Sequence, residues 1–181
     1  MIRIALLSAI ALLFTGCATK AVIDYDTEAD FSKYRTFAWK DSGEDLSDTA
    51  PLWHERVVKG IQNRLEAAGH QIVTENPDAF ITYYSAEKQE VSVVTDTMGY
   101  GVGSNWRRGY GGVGATTSHA VTYDVGTLIV DVWDASENKL VWRATASDTL
   151  YENPEKNEKL LNQMLDSMVE EWQKEKAKRS S

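Results

Sequence analysis

The stretch covering residues 126–150 constrains this chain most. In its first arm Leu128, Val130 and Val132 fall on one side of an extended backbone, and Thr127, Ile129, Asp131 and Trp133 on the other. From Lys139 onward, Leu140, Trp142, Ala144 and Ala146 alternate with Val141, Arg143 and Thr145. A period of two is the pattern of a half-buried antiparallel strand, because successive side chains leave opposite faces. The polar residues 134–138 between the arms are turn formers. The stretch is therefore read as a hairpin at the centre of a sheet that helices cover.

Two amphipathic helices are expected. Over 51–68, Trp53, Val57, Ile61, Leu65 and Ala68 recur at three- and four-residue spacing. Pro51 suits the first turn and Gly69 the position past the end. Over 157–174, Leu161, Met164, Leu165, Met168 and Trp172 make a second stripe, followed by a basic tail expected to fray. Both stripes, with Trp53 and Trp172, are core by default. Short strands are expected over 21–25, 34–39 and 71–74, and a long one over 79–94 whose charged middle, 87–90, marks an edge or a bulge. Strand resumes at His119 and runs into the hairpin. Sequential strands joined by turns suit an antiparallel sheet. The expected fold class is α+β: a two-layer sandwich, mainly antiparallel, with two amphipathic helices packed on one face.

The N-terminus reads as an address. Met1, Ile2 and Arg3 form a short positive region, and 4–14 is an apolar run too short to span a bilayer but right for a signal peptide. Thr15 and Gly16 then precede Cys17, the only cysteine of the chain. Small residues before a cysteine here resemble the lipobox of bacterial lipoproteins, with Phe14 where Leu is usual. On that resemblance the chain is cut before Cys17, which is acylated. The alternative is an ordinary secretory signal with a chance cysteine. Ala18, in place of the Asp that signals inner-membrane retention, favours the outer membrane, with the inner membrane and the cell surface as alternatives. A lone cysteine leaves no internal disulfide.

The 181 residues fit one domain, and the net charge of −8 argues against a general nucleic-acid binder, which needs a basic face. The expected organisation is 1–16 signal peptide, 17–20 lipidated terminus and tether, 21–175 a single domain, and 176–181 a polar tail.

Residues 95–118 carry seven of the twelve glycines: Gly99, Gly101, Gly103, Gly109, Gly111, Gly112 and Gly114. A glycine run of this kind is poorly suited to a regular strand, so an excursion from the sheet is expected. It lacks the helix and the Gly-Lys-Ser/Thr of a phosphate loop. It is either a flexible connection or a contact loop. Tyr100, Trp106, Arg107, Arg108 and Tyr110 sit among the glycines, and aromatic and Arg residues are enriched at binding hot spots. The aromatics equally suit a lipid headgroup layer.

Chemistry is otherwise sparse. His54, His70 and His119 do not pair at metal-ligand spacing. No Gly-x-Ser-x-Gly elbow is present. Asp131 and Asp134 could be imagined as glycosidase carboxylates, which need a set separation across a cleft; on a hairpin they read better as strand and turn residues. No metal and no cofactor is expected.

Three blocks together resemble a known family. Asp24, Tyr25, Asp26, Ala29, Asp30, Phe31, Ser32, Tyr34, Thr36, Phe37 and Trp39 form the first. Tyr123 with residues 126–131 forms the second, and Asp134 and Ala135 with residues 139–143 the third. They resemble a family of bacterial lipoproteins known only as domain of unknown function 4136, over essentially the whole mature chain. The resemblance implies a secreted, lipid-anchored α+β domain and no established catalytic residue. The expected function is a non-catalytic, periplasm-facing envelope lipoprotein that binds an envelope protein or cell-wall partner. The alternative is a hydrolase acting on envelope material.

Overall fold

A computed structural model describes residues 19–40, 49–98 and 115–179. Six strands form one mixed, mostly antiparallel sheet: β1 (Val22–Tyr25), β2 (Thr36–Trp39), β3 (Gln71–Ile72), β4 (Ala79–Met98), β5 (Ala115–Asp134) and β6 (Lys139–Thr149). Their order across the sheet is β1-β6-β5-β4-β2-β3. The α-helices among the described residues are α1 (Pro51–Ala67) and α2 (Pro154–Arg179). The hairpin expected at the centre is β5–β6, and β5 lies between β6 and β4. The sheet is not wholly antiparallel, because β2 runs parallel to both β3 and β4. α1 is the crossover that makes this possible, returning the chain to the end where β2 began.

Register explains the layers. The rungs Val130↔Ala144, Val132↔Trp142, Tyr83↔Val130, Ile81↔Val132 and Phe37↔Ala79 put one set of side chains on one face. All of these residues are buried, as are Val57 and Ile61 of α1 and Leu161, Met164, Leu165, Met168 and Trp172 of α2. Trp172 is the hub: its ring meets Phe31 at 5.0 Å and Trp142 at 5.4 Å, both edge-on. Gly60 lets the helices close, since a Cβ there would stand 2.6 Å from Leu165 Cδ1. The opposite face of the sheet carries Phe80, Thr82, Tyr84, Ile129, Asp131, Trp133 and Arg143, with no helix over it among the described residues.

The ends of α1 follow from its sequence. Pro51 opens it, and Gly69, at φ +83°, closes it. His70 N donates to Leu65 O (2.9 Å) and Gly69 N to Glu66 O (3.0 Å), the paired bonds of a left-handed glycine cap. The cap turns His70 inward, edge-on to Phe37 at 5.1 Å, where burial lowers its imidazole pKa.

The second helix is longer than its stripe. It starts at Pro154 rather than near 157, because Asn153 Oδ1 accepts from Glu155 N (2.8 Å) and Lys156 N (3.2 Å). It continues to Arg179 rather than fraying after Lys174. Arg179 Nη1 donates to Thr27 O (2.8 Å) and Ala29 O (3.0 Å), and its guanidinium lies over the rings of Tyr25 and Phe31. Glu175 is buried and bound by Lys178, which holds its carboxyl below the ordinary range. No helix among the described residues is long and apolar enough to cross a membrane.

Candidate contact site: the β4–β5 ribbon

The two longest strands outrun the sheet. β6 pairs with β5 only as far as Val125↔Thr149. From Gln89↔Asp124 to Met98↔Ala115, β4 and β5 pair with each other alone. At about 3.4 Å per residue this is a ribbon some 30 Å long projecting from the domain. Residues 95–98 and 115–118, expected in the glycine excursion, are therefore paired strand. The glycines begin only at Gly99, and Thr95, Thr97, Thr116 and Thr117 are good strand formers. The charged stretch 87–90 is not a bulge, since the β4–β5 register is unbroken through it. It is an edge, because β2 pairs with β4 only at residues 79–81. The one register shift of the central strands lies instead between Val132 and Trp133.

Polar cross-strand pairs hold the ribbon. Gln89 Nε2 donates to Asp124 Oδ1 (3.3 Å), and Tyr123 OH to Glu90 Oε2 (3.4 Å). The hydroxyls of Thr95 and Ser118 are 3.1 Å apart. Between these pairs the ribbon exposes aliphatic surface on both faces. Val91 and Val93 are 66% and 67% exposed on one face; Val94 and Val121, on the other, are 39% and 40% exposed. Apolar surface bare on both sides of a two-stranded element makes the ribbon a candidate contact surface.

The ribbon is anchored where it leaves the sheet. Gly126 makes room there: a Cβ would stand 2.7 Å from Leu150 Cδ2 and 3.1 Å from its Cγ, so Leu150 would have to shift. Leu150 N donates to Asp124 O (2.8 Å), and the hydroxyls of Thr127 and Ser147 lie 2.8 Å apart. Beside this root is a cleft of about 400 Å³ whose lining includes Trp53, Arg56, Ser85, Glu87, Leu150 and Asn157. Trp53 Nε1 donates to Ser85 Oγ (2.9 Å), and His54 Nδ1 pairs with Tyr83 OH (2.7 Å), so the start of α1 is fastened to β4.

The residues singled out from sequence distribute as follows. Tyr100, Trp106, Arg107, Arg108 and Tyr110 lie outside the described residues, as does Cys17. The outermost rung, Met98↔Ala115, holds together the two ends of the segment that contains the five. His54 is on α1, His70 lies just past the cap of α1 and His119 is on β5, and no group of three or more His, Cys, Asp or Glu placed to hold a metal occurs among the described residues. Asp131 and Asp134 point to opposite faces of β5. Asp131, on the helix-free face, accepts from Arg143 Nε and Nη2, both at 2.6 Å. Asp134 is buried on the core side and accepts from Lys33 (2.6 Å), Tyr34 OH (3.0 Å) and Ser136 Oγ (2.6 Å). Burial pushes the Asp134 carboxyl up, but these donors and Glu137 N–H outweigh it and hold the pKa well below the usual carboxylate value. The same burial, with Asp134 beside it, raises the Tyr34 phenol. Sequence reasoning missed this node because Lys33 and Tyr34 reach Asp134 across a hundred residues of chain; the Asp134-Ser136 turn was its only local signal.

Comparison with known proteins adds fold but little role. A PDZ domain protein from Parabacteroides distasonis superposes with a TM-score of 0.54 at 11% identity, over 84% of this chain and 35% of that one. This chain thus spans about a third of that protein's length. The PelC dodecamer from Paraburkholderia phytofirmans matches at 13% identity over 82% of this chain and 96% of that one, with a TM-score of 0.42, too low to carry an argument. No curated protein matches the chain. A family model does match, over residues 21–172, and the chain belongs to that family, Domain of unknown function (DUF4136).

Proposed function

We propose that this chain is a non-catalytic envelope lipoprotein. It is anchored through Cys17 at the periplasmic face of the outer membrane and contacts an envelope partner through the β4–β5 ribbon and the segment at its tip. The observation that carries the reading is the ribbon: paired strand extends well past the sheet, exposes valine on both faces, and ends at a segment rich in Tyr, Trp and Arg. Those residue types carry much of the binding energy at interfaces. The paired arm itself leaves Val91 and Val93 largely exposed. The hydrolase reading gains no comparable support, since Asp131 and Asp134 face apart and each is engaged by cations or donors of its own.

The test is chemical crosslinking in intact envelopes followed by pulldown. A discrete partner is expected with the wild type, and its recovery is expected to be lost when residues 99–114 are replaced by a two-residue turn. Trp106→Ala with Arg107→Ala is expected to weaken it. Equal recovery by all three chains would refute the contact role. Anchoring is tested separately, by fatty-acid labelling of wild type and Cys17→Ala; equal labelling would refute the anchor.

A further inference from the structure

The outer half of β4 is an unfinished sheet edge. Toward β2 it is paired only at residues 79–81, and Trp53 of α1 reaches its Ser85. From Ala86 to Met98 the side of β4 away from β5 has no strand beside it among the described residues. Isolated two-stranded ribbons are marginal in water, and a long exposed edge is a template for a further strand.

The sequence of this edge is complementary to itself. Two copies of a strand related by a twofold axis perpendicular to the sheet run antiparallel, with like faces matched. The free run is 86–98, and its midpoint is Ser92. Centred there, Val91 stands opposite Val93 of the second copy, and Val93 opposite Val91. Gln89 stands opposite Thr95, and Lys88 comes level with position 96, an aspartate. Moving the centre to position 91 sets Val93 against Gln89 and Lys88 against Val94; moving it to 93 sets Val91 against Thr95. Only the centre at Ser92 pairs both exposed valines and matches the charges. The outer run of β5, 115–124, holds an aspartate and no Lys or Arg, so it offers no such charge pair.

We propose that two copies of this chain pair through the free edge of β4, antiparallel about Ser92, joining their ribbons into a four-stranded sheet. Val91 and Val93, the most exposed valines of the ribbon, are then covered reciprocally. The pairing also brings the outermost rung of each ribbon level with Ala86 of the other copy, a residue that lines the root cleft.

The test uses the full chain in its own envelope. Ser92→Cys places two thiols across the axis, where directly opposed Cα atoms lie about 4.5–5.5 Å apart, within disulfide range. Mild oxidation is expected to give a reductant-sensitive dimer with Ser92→Cys. None is expected with the wild type, whose only cysteine is Cys17, or with Thr122→Cys on the other edge of the ribbon. In the Ser92→Cys background, Val91→Lys with Val93→Lys, or Val91→Glu with Val93→Glu, sets like charges opposite each other and is expected to cut the dimer about tenfold. Co-expression of the two, carrying different tags, is expected to restore a mixed dimer. Both valines are exposed, so the monomer fold is expected to survive, as its melting curve will report. The proposal is overturned if Ser92→Cys gives no dimer, if Thr122→Cys crosslinks as well, or if the like-charged variants dimerise as the parent does.

Discussion

Arg143 grips Asp131 through two hydrogen bonds of 2.6 Å on the sheet face that neither helix covers. The two are direct neighbours across β5 and β6. Asp131 is fully buried although it points toward the open side, because Arg143 is its lid; the Arg143 side chain itself is 43% exposed.

Removing the lid leaves a desolvated carboxylate without a partner. Arg143→Ala is expected to destabilise the domain by about 1–2 kcal/mol, at the low end for such pairs because Arg143 remains half in water. Urea unfolding measures this. A change within error would mean that water substitutes fully for the guanidinium.

Trp172 touches Phe31, Tyr34, Phe37 and Trp142 from a single position on α2. Trp172→Ala empties that space and is expected to cost about 3–5 kcal/mol. Trp172→Phe keeps part of the packing and should cost clearly less. Equal losses in the two variants would argue against the aromatic cluster as the source of the effect.

Acid should weaken the fold through Asp134. Its folded carboxyl lies below its ordinary value near 3.9, so the stabilisation is present above about pH 4 and is lost as pH falls toward the folded value. Asp78, which accepts from Arg35 N, Thr36 N and Thr36 Oγ1, is shifted in the same direction. Asp134→Asn is expected to lower stability at neutral pH and to flatten the decline below about pH 4. An acid limb of unchanged steepness would place the linkage elsewhere.

Gly126→Ala drives a methyl into Leu150 at the ribbon root. A loss of about 1 kcal/mol is expected, with faster hydrogen exchange at Leu150 N, the group bonded to Asp124 O. Replacing residues 99–114 by a two-residue turn should do the opposite. Loop closure favours the shorter connection by about 0.6 kcal/mol per halving, so about 2 kcal/mol at most, and the melting temperature is not expected to fall. A collapse of the fold on that replacement would show that these glycines belong to the sheet.

The parts of the fold legible in sequence are those with a local period. The alternation of Leu128, Val130 and Val132 located the central strand, and Pro51 and Gly69 bounded α1. Direction was not legible: β2 and β3 are four and two residues long, and nothing in Thr36 to Trp39 says that it runs parallel to β4. The ribbon was half hidden for a different reason. Residues 87–90 look like an interruption when read along the chain, yet Gln89 and Glu90 are the rungs that bind Asp124 and Tyr123 across it. Likewise Asn153 and Pro154 together announce the start of α2, but the apolar stripe begins later and drew the boundary inward.

Mechanically, β5 is one continuous lever. Its outer end is the last rung of the ribbon, its fulcrum is the Gly126–Leu150 contact, and its inner end is Asp134, clamped by Lys33 and Tyr34. A load applied to the outer rungs meets no break in the β4–β5 register on the way in. The first irregularity it reaches is the β5–β6 register shift between Val132 and Trp133, so the strand that would take the load is the one that floors the core.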